Sequence, residues 1–268
     1  QASTGQASCT DASAGHYVDS TAATAQAACD AGTYQASTGQ ASCLDADPGH
    51  YVDSSGAASQ AACPAGTYNP ATGSSDPSAC IPADPGYSAP VNGSASQAAC
   101  LPGTYQPSSG QASCIDADPG HHSPAYAATA QVACQAGTYQ PSYGQILCLH
   151  AQPGHYVPIG GQASQTPCQP GTYQPSTGQV TCLLADPGHH VPGHGASLQV
   201  PCQPGTYQPA AAQSSCVDAN PGYFVPTSGS TSQTACPAGA YQPSAGSTSC
   251  LSTDPGHYTD SNASTAQA

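Results

Sequence analysis

Cysteine is the residue of this chain whose number and spacing most clearly indicate chemistry. The 15 cysteines alternate between a longer spacing, as from Cys9 to Cys29, and a shorter one, as from Cys29 to Cys43. The shorter spacing is lengthened once, by an insertion between Cys63 and Cys80. Zinc sites need close pairs such as Cys-x2-Cys, and the sequence has no such pair. The pattern therefore predicts structural disulfides, formed in an extracellular or cell-surface compartment.

The spacings allow two pairing schemes. The long scheme pairs cysteines across the longer spacing, from Cys9–Cys29 to Cys216–Cys236, whereas the short scheme leaves Cys9 for a partner upstream of the chain. Between the cysteine pairs, Ala and Gln stand where the two ends of a short-scheme bridge would lie, as at Ala185 and Gln199. This joint replacement favours the short scheme, in which each bridge would contribute about 3 kcal/mol on the chain-entropy model. Its pairs are Cys29–Cys43, Cys63–Cys80, Cys100–Cys114, Cys134–Cys148, Cys168–Cys182, Cys202–Cys216 and Cys236–Cys250.

A ring recurs at a regular interval, after a turn that reads "GT" or "GH". His122 and His190 occupy this place in two copies, and we expect the aromatic rings to stack on one another along the chain. The stacking rings are Tyr17, Tyr34, Tyr51, Tyr68, Tyr105, Tyr139, Tyr156, Tyr173, Tyr207, Phe224, Tyr241 and Tyr258.

These elements predict small disulfide-rich β-hairpin repeats with a 34-residue period and 17-residue half-repeats, stacked into an elongated rod or solenoid with little or no helix. Pro, Gly, Ser and Thr are too frequent for a helical repeat of the same period. We interpret residues 1–268 as one continuous array that starts and ends in mid-repeat. Its units are approximately 29–62, 63–99, 100–133, 134–167, 168–201, 202–235 and 236–268.

The composition limits both the interior and the partners of the protein. Val, Leu, Ile and Phe sum to 23 of 268 residues, so an ordinary hydrophobic core is implausible. The chain has no Lys or Arg and a net charge of −14, which excludes phosphate recognition in nucleic acids and attraction to anionic membranes. The sequence also has no apolar run long enough to span a membrane.

The strings "CPAGTYNP", "CLPGTYQP", "CQPGTYQP" and "CPAGAYQP" resemble the ephrin-receptor-like cysteine-rich repeat of extracellular proteins. The hairpin module is also similar to the first module of tumour-necrosis-factor-receptor repeats. In those families the opening Cys bonds to the Cys that closes the hairpin, so the resemblance supports the short scheme. It implies extracellular stalks, adhesive modules or binding modules, and it does not imply catalysis. The usual Cys-x-x-Cys junction is absent, since Ala46 stands at its second place after Cys43.

Histidine and aspartate are the candidate metal ligands. His16, His50, His121, His155, His189 and His257 recur in the turns, which we interpret as exposed turn positions rather than metal ligands. His189, His190 and His194 form a cluster, but Pro192 and Gly193 break any helix that would align them. Asp45, Asp47, Asp53, Asp116 and Asp118 allow weak calcium binding without a full ligand set. We therefore predict no metal and no other cofactor.

Covalent glycans are the modification that the sequence predicts. Asn92 and Asn262 lie in Asn-x-Ser sequons within loops, and dense Ser, Thr and Pro favour O-linked glycans. Catalysis is not expected, because a catalytic site is asymmetric whereas nearly every polar residue here recurs with the repeat.

The first functional hypothesis is an acidic, structural extracellular glycoprotein of a fibre, stalk, cell wall or surface hair, which self-associates into a longer fibre. The alternative is a cell-surface adhesion module or a module that binds a ligand or carbohydrate. A disordered mucin-like spacer is disfavoured by the strict spacing of the cysteines.

Overall fold

The computed structural model describes residues 8–268, whose regular structure is almost entirely β-strand. Its 28 strands pair in chain order into two-stranded sheets, and each sheet is a hairpin. Within the described residues, the 3₁₀ helix Pro77–Ala79 is the only helix. The predicted fold class, disulfide-rich β-hairpin repeats with little helix, is confirmed. No helix capable of crossing a bilayer occurs within residues 8–268.

The strands have two residues each. They are β1 (His16–Tyr17), β2 (Ala27–Ala28), β3 (Thr33–Tyr34), β4 (Leu44–Asp45), β5 (His50–Tyr51), β6 (Ala61–Ala62), β7 (Thr67–Tyr68), β8 (Ile81–Pro82), β9 (Tyr87–Ser88), β10 (Ala98–Ala99), β11 (Thr104–Tyr105), β12 (Ile115–Asp116), β13 (His121–His122), β14 (Val132–Ala133), β15 (Thr138–Tyr139), β16 (Leu149–His150), β17 (His155–Tyr156), β18 (Thr166–Pro167), β19 (Thr172–Tyr173), β20 (Leu183–Leu184), β21 (His189–His190), β22 (Val200–Pro201), β23 (Thr206–Tyr207), β24 (Val217–Asp218), β25 (Tyr223–Phe224), β26 (Thr234–Ala235), β27 (Ala240–Tyr241) and β28 (Leu251–Ser252).

A tight turn starts each hairpin and aims its first strand. In the segment Leu101–Thr104, the backbone N–H and the hydroxyl of Thr104 both donate to the carbonyl of Leu101, at 2.9 and 2.8 Å. Gly103 has a φ of +94°, as the third residue of a type II turn requires, and Pro102 precedes it at the favoured second position. The "PG" of the sequence is therefore the local signal that starts the strand.

The paired strands are antiparallel, and their register repeats along the chain. In β19 and β20, Thr172 lies opposite Leu184 and Tyr173 lies opposite Leu183. Two-stranded hairpins of this length are marginal on their own in water. Each hairpin therefore depends on its neighbours and on cross-links for stability.

The insertion between Cys63 and Cys80 is absorbed in a loop. Asp76 caps the helix Pro77–Ala79 by accepting the backbone N–H of Ser78 at 2.7 Å. Hydrogen bonds from the side chain and the backbone of Ser78 lower the pKa of the exposed Asp76 carboxyl. Tyr68 still lies opposite Ile81, so the insertion leaves the strand register intact.

The chain divides into two compact units. The first contains the described residues through Asp118 together with His122–Val132 and Tyr143–Leu147, and the second contains Pro119–His121, Ala133–Ser142 and Cys148–Ala268. Both units are built from two-stranded hairpins of the same type. The single continuous array and the elongated rod remain predictions.

Two kinds of hairpin alternate, and we name them by their opening residue. The Cys hairpins open at Cys29, Cys63, Cys100, Cys134, Cys168, Cys202 and Cys236. The Ala hairpins open at Ala12, Ala46, Ala83, Ala117, Ala151, Ala185 and Ala219. The corresponding segment from Thr253 contains no strand, although Tyr258 and Ala268 exchange backbone hydrogen bonds there.

Within each unit, backbone hydrogen bonds join neighbouring hairpins. In the second unit, Gly188 donates to the carbonyl of Gln208 at 2.8 Å, Val191 donates to Gln213 at 3.0 Å, and Ala212 donates back to Ala185 at 2.8 Å. The first unit has the same three bonds between the hairpins that open at Ala46 and Cys63. Backbone groups that would be costly to bury unpaired are thus satisfied by the adjacent hairpin.

The interior is a thin layer to which most hairpins contribute three residues. They are the opening residue, the turn glycine and the residue after the ring, for example Ala185, Gly188 and Val191. Glycine is required at the middle position, because a Cβ on Gly205 would overlap the carbonyl oxygen of Gly246. Small residues and close backbone contact thus replace an aliphatic core.

The loop residue ten places after the opening residue provides a test of backbone strain. Glycine occupies most copies, but Ala212 adopts a φ of +61°, a left-handed conformation that costs an L-residue about 1–2 kcal/mol. We expect Ala212→Gly to raise the free energy of unfolding by about 1 kcal/mol, measured by thermal denaturation monitored by circular dichroism. The control Ala211→Gly, at an adjacent exposed position, should lower stability or leave it unchanged. Equal effects of the two substitutions would contradict the presence of backbone strain at Ala212.

Candidate functional site

Seven disulfides close the Cys hairpins, and they are the pairs of the short scheme. Each bridge joins the opening Cys to the Cys immediately before the second strand, as in Cys202–Cys216 with a Cα–Cα distance of 5.7 Å. The opening Cys is buried and the closing Cys is half-buried. Cys9 is exposed and unpaired. An upstream partner for Cys9 therefore stays a prediction.

Glutamine side chains close the Ala hairpins in place of a disulfide. The Gln199 amide oxygen accepts the backbone N–H of Asp186, and its NH₂ group donates to the Asp186 carboxylate, both at 2.7 Å. Asp47, Asp84, Asp118 and Asp254 make the same pair of bonds with a Gln 13 residues later. Sequence analysis identified the Ala and Gln replacement but missed this glutamine clip. The sequence signal for the clip was the polar residue that follows the opening Ala, such as Asp186 after Ala185.

Buried glutamines stabilise the Cys hairpins from within. Gln174 donates to the carbonyl of Thr181 at 2.8 Å and accepts the backbone N–H of Ser176 at 3.1 Å. In the described part of the chain, no buried side-chain nitrogen or oxygen lacks a hydrogen-bond partner. A valine takes this position in several Ala hairpins, including Val191. Sequence analysis missed this interior position, although its alternation of Gln and Val was visible one residue after each ring.

The predicted rings are mostly half-buried and lie next to the interior layer rather than within it. Tyr258 is 62% exposed. Ser88 occupies the ring position in the hairpin that opens at Ala83, so the series has a gap there. Stacking of the rings remains a prediction.

Five of the six predicted turn histidines, all except His257, contact their own turns through Nδ1. Nδ1 of His50 lies 3.2 Å from the carbonyl oxygen of Pro48, and since a carbonyl can only accept, this hydrogen bond places the proton on Nδ1. In the histidine cluster, His189 contacts Pro187 O at 3.4 Å and His194 contacts the Gln169 amide oxygen at 3.1 Å. His190 differs, because it contacts a disulfide sulfur.

The aspartates proposed as weak calcium ligands have structural roles in part. Asp47 and Asp118 hold Gln60 and Gln131 through glutamine clips, while Asp53 is exposed. Calcium binding by these residues remains a prediction.

Both predicted glycosylation sites are exposed loop residues. The side-chain oxygen of Asn92 accepts the backbone N–H of Ala65 at 2.8 Å, and that of Asn262 accepts the N–H of Ala238 at 3.2 Å. Their modification remains a prediction.

Comparison with known families identifies two segments of the chain. Residues 15–63 and 222–268 match the family described as tyrosine-protein kinase ephrin type A/B receptor-like. The resemblance to ephrin-receptor-like repeats is thereby confirmed, whereas the similarity to tumour-necrosis-factor-receptor modules stays a prediction. A search of curated proteins found no match.

The equivalence of disulfide and glutamine clip can be tested by exchanging them. We expect Ala185→Cys combined with Gln199→Cys to form an eighth bridge, because these residues occupy the positions that cysteine holds in the adjacent hairpins. The new bridge should add about 3 kcal/mol and the lost glutamine clip should remove about 1 kcal/mol. Intact mass, thiol titration and thermal denaturation measure the result.

The matched control is Gln199→Ala, which removes the clip alone and should lower stability by about 1 kcal/mol. Three free thiols in the double variant under oxidising conditions, namely the two introduced cysteines and Cys9, would show that the Ala hairpins do not share the geometry of the Cys hairpins.

Proposed function

Starting from the extracellular-type ephrin-receptor-like repeats of residues 15–63 and 222–268, we propose that the protein is a structural extracellular glycoprotein. It forms part of a fibre, stalk, cell wall or surface-hair filament. The observation that carries the proposal is that neighbouring hairpins share backbone hydrogen bonds while every second hairpin is closed by a disulfide. An extracellular location is supported by the seven disulfides, since such bridges persist in oxidising compartments, and by the match of residues 15–63 and 222–268 to this family.

The arrangement supports resistance to tension. Four backbone hydrogen bonds join the hairpins that open at Ala185 and Cys202, because Cys202 also donates to the carbonyl of Gly188, and these bonds share an applied load. The Cys202–Cys216 bridge then prevents its own hairpin from being drawn out. Local structure therefore resists extension at two levels, one non-covalent and one covalent.

The surface chemistry supports durability. With no Lys or Arg, the chain has no tryptic cleavage site. Glycans at Asn92 and Asn262, with O-linked glycans on the Ser, Thr and Pro of the loops, belong to the proposal as solubilising modifications. Catalysis and bound cofactors are not part of it.

Self-association is proposed through an exposed aliphatic row. The residue after each closing Cys is aliphatic, and in the second unit Leu149, Leu183, Val217 and Leu251 are 46–48% exposed. Each lies opposite a half-buried tyrosine in its hairpin, as Leu183 lies opposite Tyr173. Repeated apolar exposure of this kind is typical of surfaces that bind another protein, and a second copy offers the same spacing.

An adhesion module is the second candidate function. Tyr126 and Tyr143 are 68% and 64% exposed at a loop position where neighbouring repeats have small or polar residues. Exposed aromatic side chains are common anchors in binding surfaces. The structural proposal is preferred because its supporting contacts recur in every repeat.

Single-molecule force spectroscopy on the full chain, tethered by its ends, tests the structural proposal. We expect resolvable force peaks with the disulfides intact, and mild reduction should add about 50 Å of contour length per opened bridge, since about 14 residues are released. Extension without a resolvable force, together with binding of the chain to immobilised glycans, would instead favour the adhesion module.

Sedimentation velocity tests the aliphatic row. Because each copy carries a net charge of −14, we expect association to increase when the salt concentration rises and screens repulsion. Leu183→Ser combined with Val217→Ser should reduce this association. The control Leu198→Ser removes an exposed leucine outside the row, and an equal loss there would contradict a specific surface.

A further inference from the structure

We propose that the Cys202–Cys216 disulfide is a thiol-exchange site, at which His190 promotes formation of a mixed disulfide with a small anionic thiol. This inference is independent of the proposed structural role. It rests on the side chain that lies against the bridge.

The contact is between His190 Nδ1 and Cys216 Sγ, at 3.1 Å. Since Cys216 is bonded to Cys202, its sulfur has no hydrogen and can only accept, so a hydrogen bond here requires the proton on Nδ1. A ring nitrogen of His190 also lies within 4.8 Å of the Cys202 sulfur. The imidazole therefore lies beside both sulfur atoms of the bridge.

The bridge is accessible from one side. Cys202 is fully buried, whereas Cys216 is half-buried and lines a shallow cleft with His190. The other residues of this cleft are Pro192, Gln203, Thr206, Ser214 and Ser215, so His190 is its only ionisable side chain. An incoming thiol consequently reaches the Cys216 sulfur first.

The charge of the protein makes the position of His190 important. The chain has no Lys or Arg and a net charge of −14, so histidine is the only side chain type that can be cationic. An anionic thiolate is repelled by the rest of the surface. A protonated imidazole against the disulfide attracts the thiolate and stabilises the negative charge shared by the sulfurs during exchange.

The reaction replaces one disulfide by another, so it needs no external oxidant or reductant. The external thiolate attacks Cys216 Sγ, the bond between the two cysteine sulfurs breaks, and the electron pair leaves on Cys202 Sγ. The His190 imidazolium donates its proton to the Cys202 thiolate. The products are a Cys202 thiol, a neutral imidazole and a mixed disulfide at Cys216.

Other repeats provide internal controls. The residue corresponding to His190 is Tyr156 in the hairpin before Cys168–Cys182 and Phe224 in the hairpin before Cys236–Cys250. Ser88 takes the same position before Cys100–Cys114, where the Cys114 sulfur lies 3.7 Å from its hydroxyl. None of these three side chains can carry a positive charge. The side chain at the position of His190, rather than the rest of the repeat, therefore determines how reactive the bridge is.

The test exposes the intact chain to reduced glutathione at neutral pH, alkylates the opened thiols at timed intervals and quantifies each bridge by peptide mass spectrometry. We expect Cys202–Cys216 to open about tenfold faster than Cys168–Cys182. His190→Tyr should lower its rate to that of Cys168–Cys182. The reciprocal variant Tyr156→His should accelerate opening of Cys168–Cys182.

The remaining bridges report whether a variant is folded. If His190→Tyr opens every bridge faster, the variant is misfolded, and the gain of rate in Tyr156→His then decides. Equal rates for Cys202–Cys216 and Cys168–Cys182 in the natural chain would overturn the proposal. An unchanged rate in folded His190→Tyr, or no acceleration in folded Tyr156→His, would do the same.

Discussion

The close approach of neighbouring backbones is the constraint on which the structure depends. Most turn glycines lie where a side chain would collide with the chain, as Gly205 does against the carbonyl of Gly246. This proximity permits the hydrogen bonds between hairpins, and it leaves an interior only wide enough for residues such as Ala185 and Val191. Glycine, alanine and cysteine therefore dominate positions that large aliphatic residues fill in other folds.

The alternation of hairpins closed by a disulfide with hairpins closed by a glutamine clip follows from that thin interior. A buried cysteine and a buried alanine fit the same opening position, but only the cysteine can cross-link directly. Where alanine opens the hairpin, Gln199 and its equivalents reach the backbone and carboxylate of the next residue and close a loop of similar length. A covalent bond and a pair of hydrogen bonds thus hold the same backbone path, although they differ in strength and in sensitivity to reductants.

Much of the local structure could be predicted because its signals are short-range. The "PG" turn, the recurring ring and the Cys spacing each act within one hairpin, and the joint replacement of cysteine by Ala185 and Gln199 already indicated which residues meet. Contacts between hairpins were harder to predict. The burial of Gln174 and Val191 depends on backbone partners in another repeat, and the contact between His190 and Cys216 joins residues 26 apart. The interior position was marked in the sequence by the alternation of Gln and Val after each ring, whereas the contact between His190 and Cys216 has no signature in its own segment.

The short span of each disulfide has a consequence for biosynthesis. Cys168 and Cys182 are 14 residues apart and meet within one hairpin, so both partners emerge from the ribosome before the next repeat is complete. Loop closure over this distance is fast compared with chain elongation. Oxidative folding can then proceed one repeat at a time, and non-native pairings among distant cysteines are kinetically disfavoured. The number of repeats can therefore change without making correct disulfide formation more difficult.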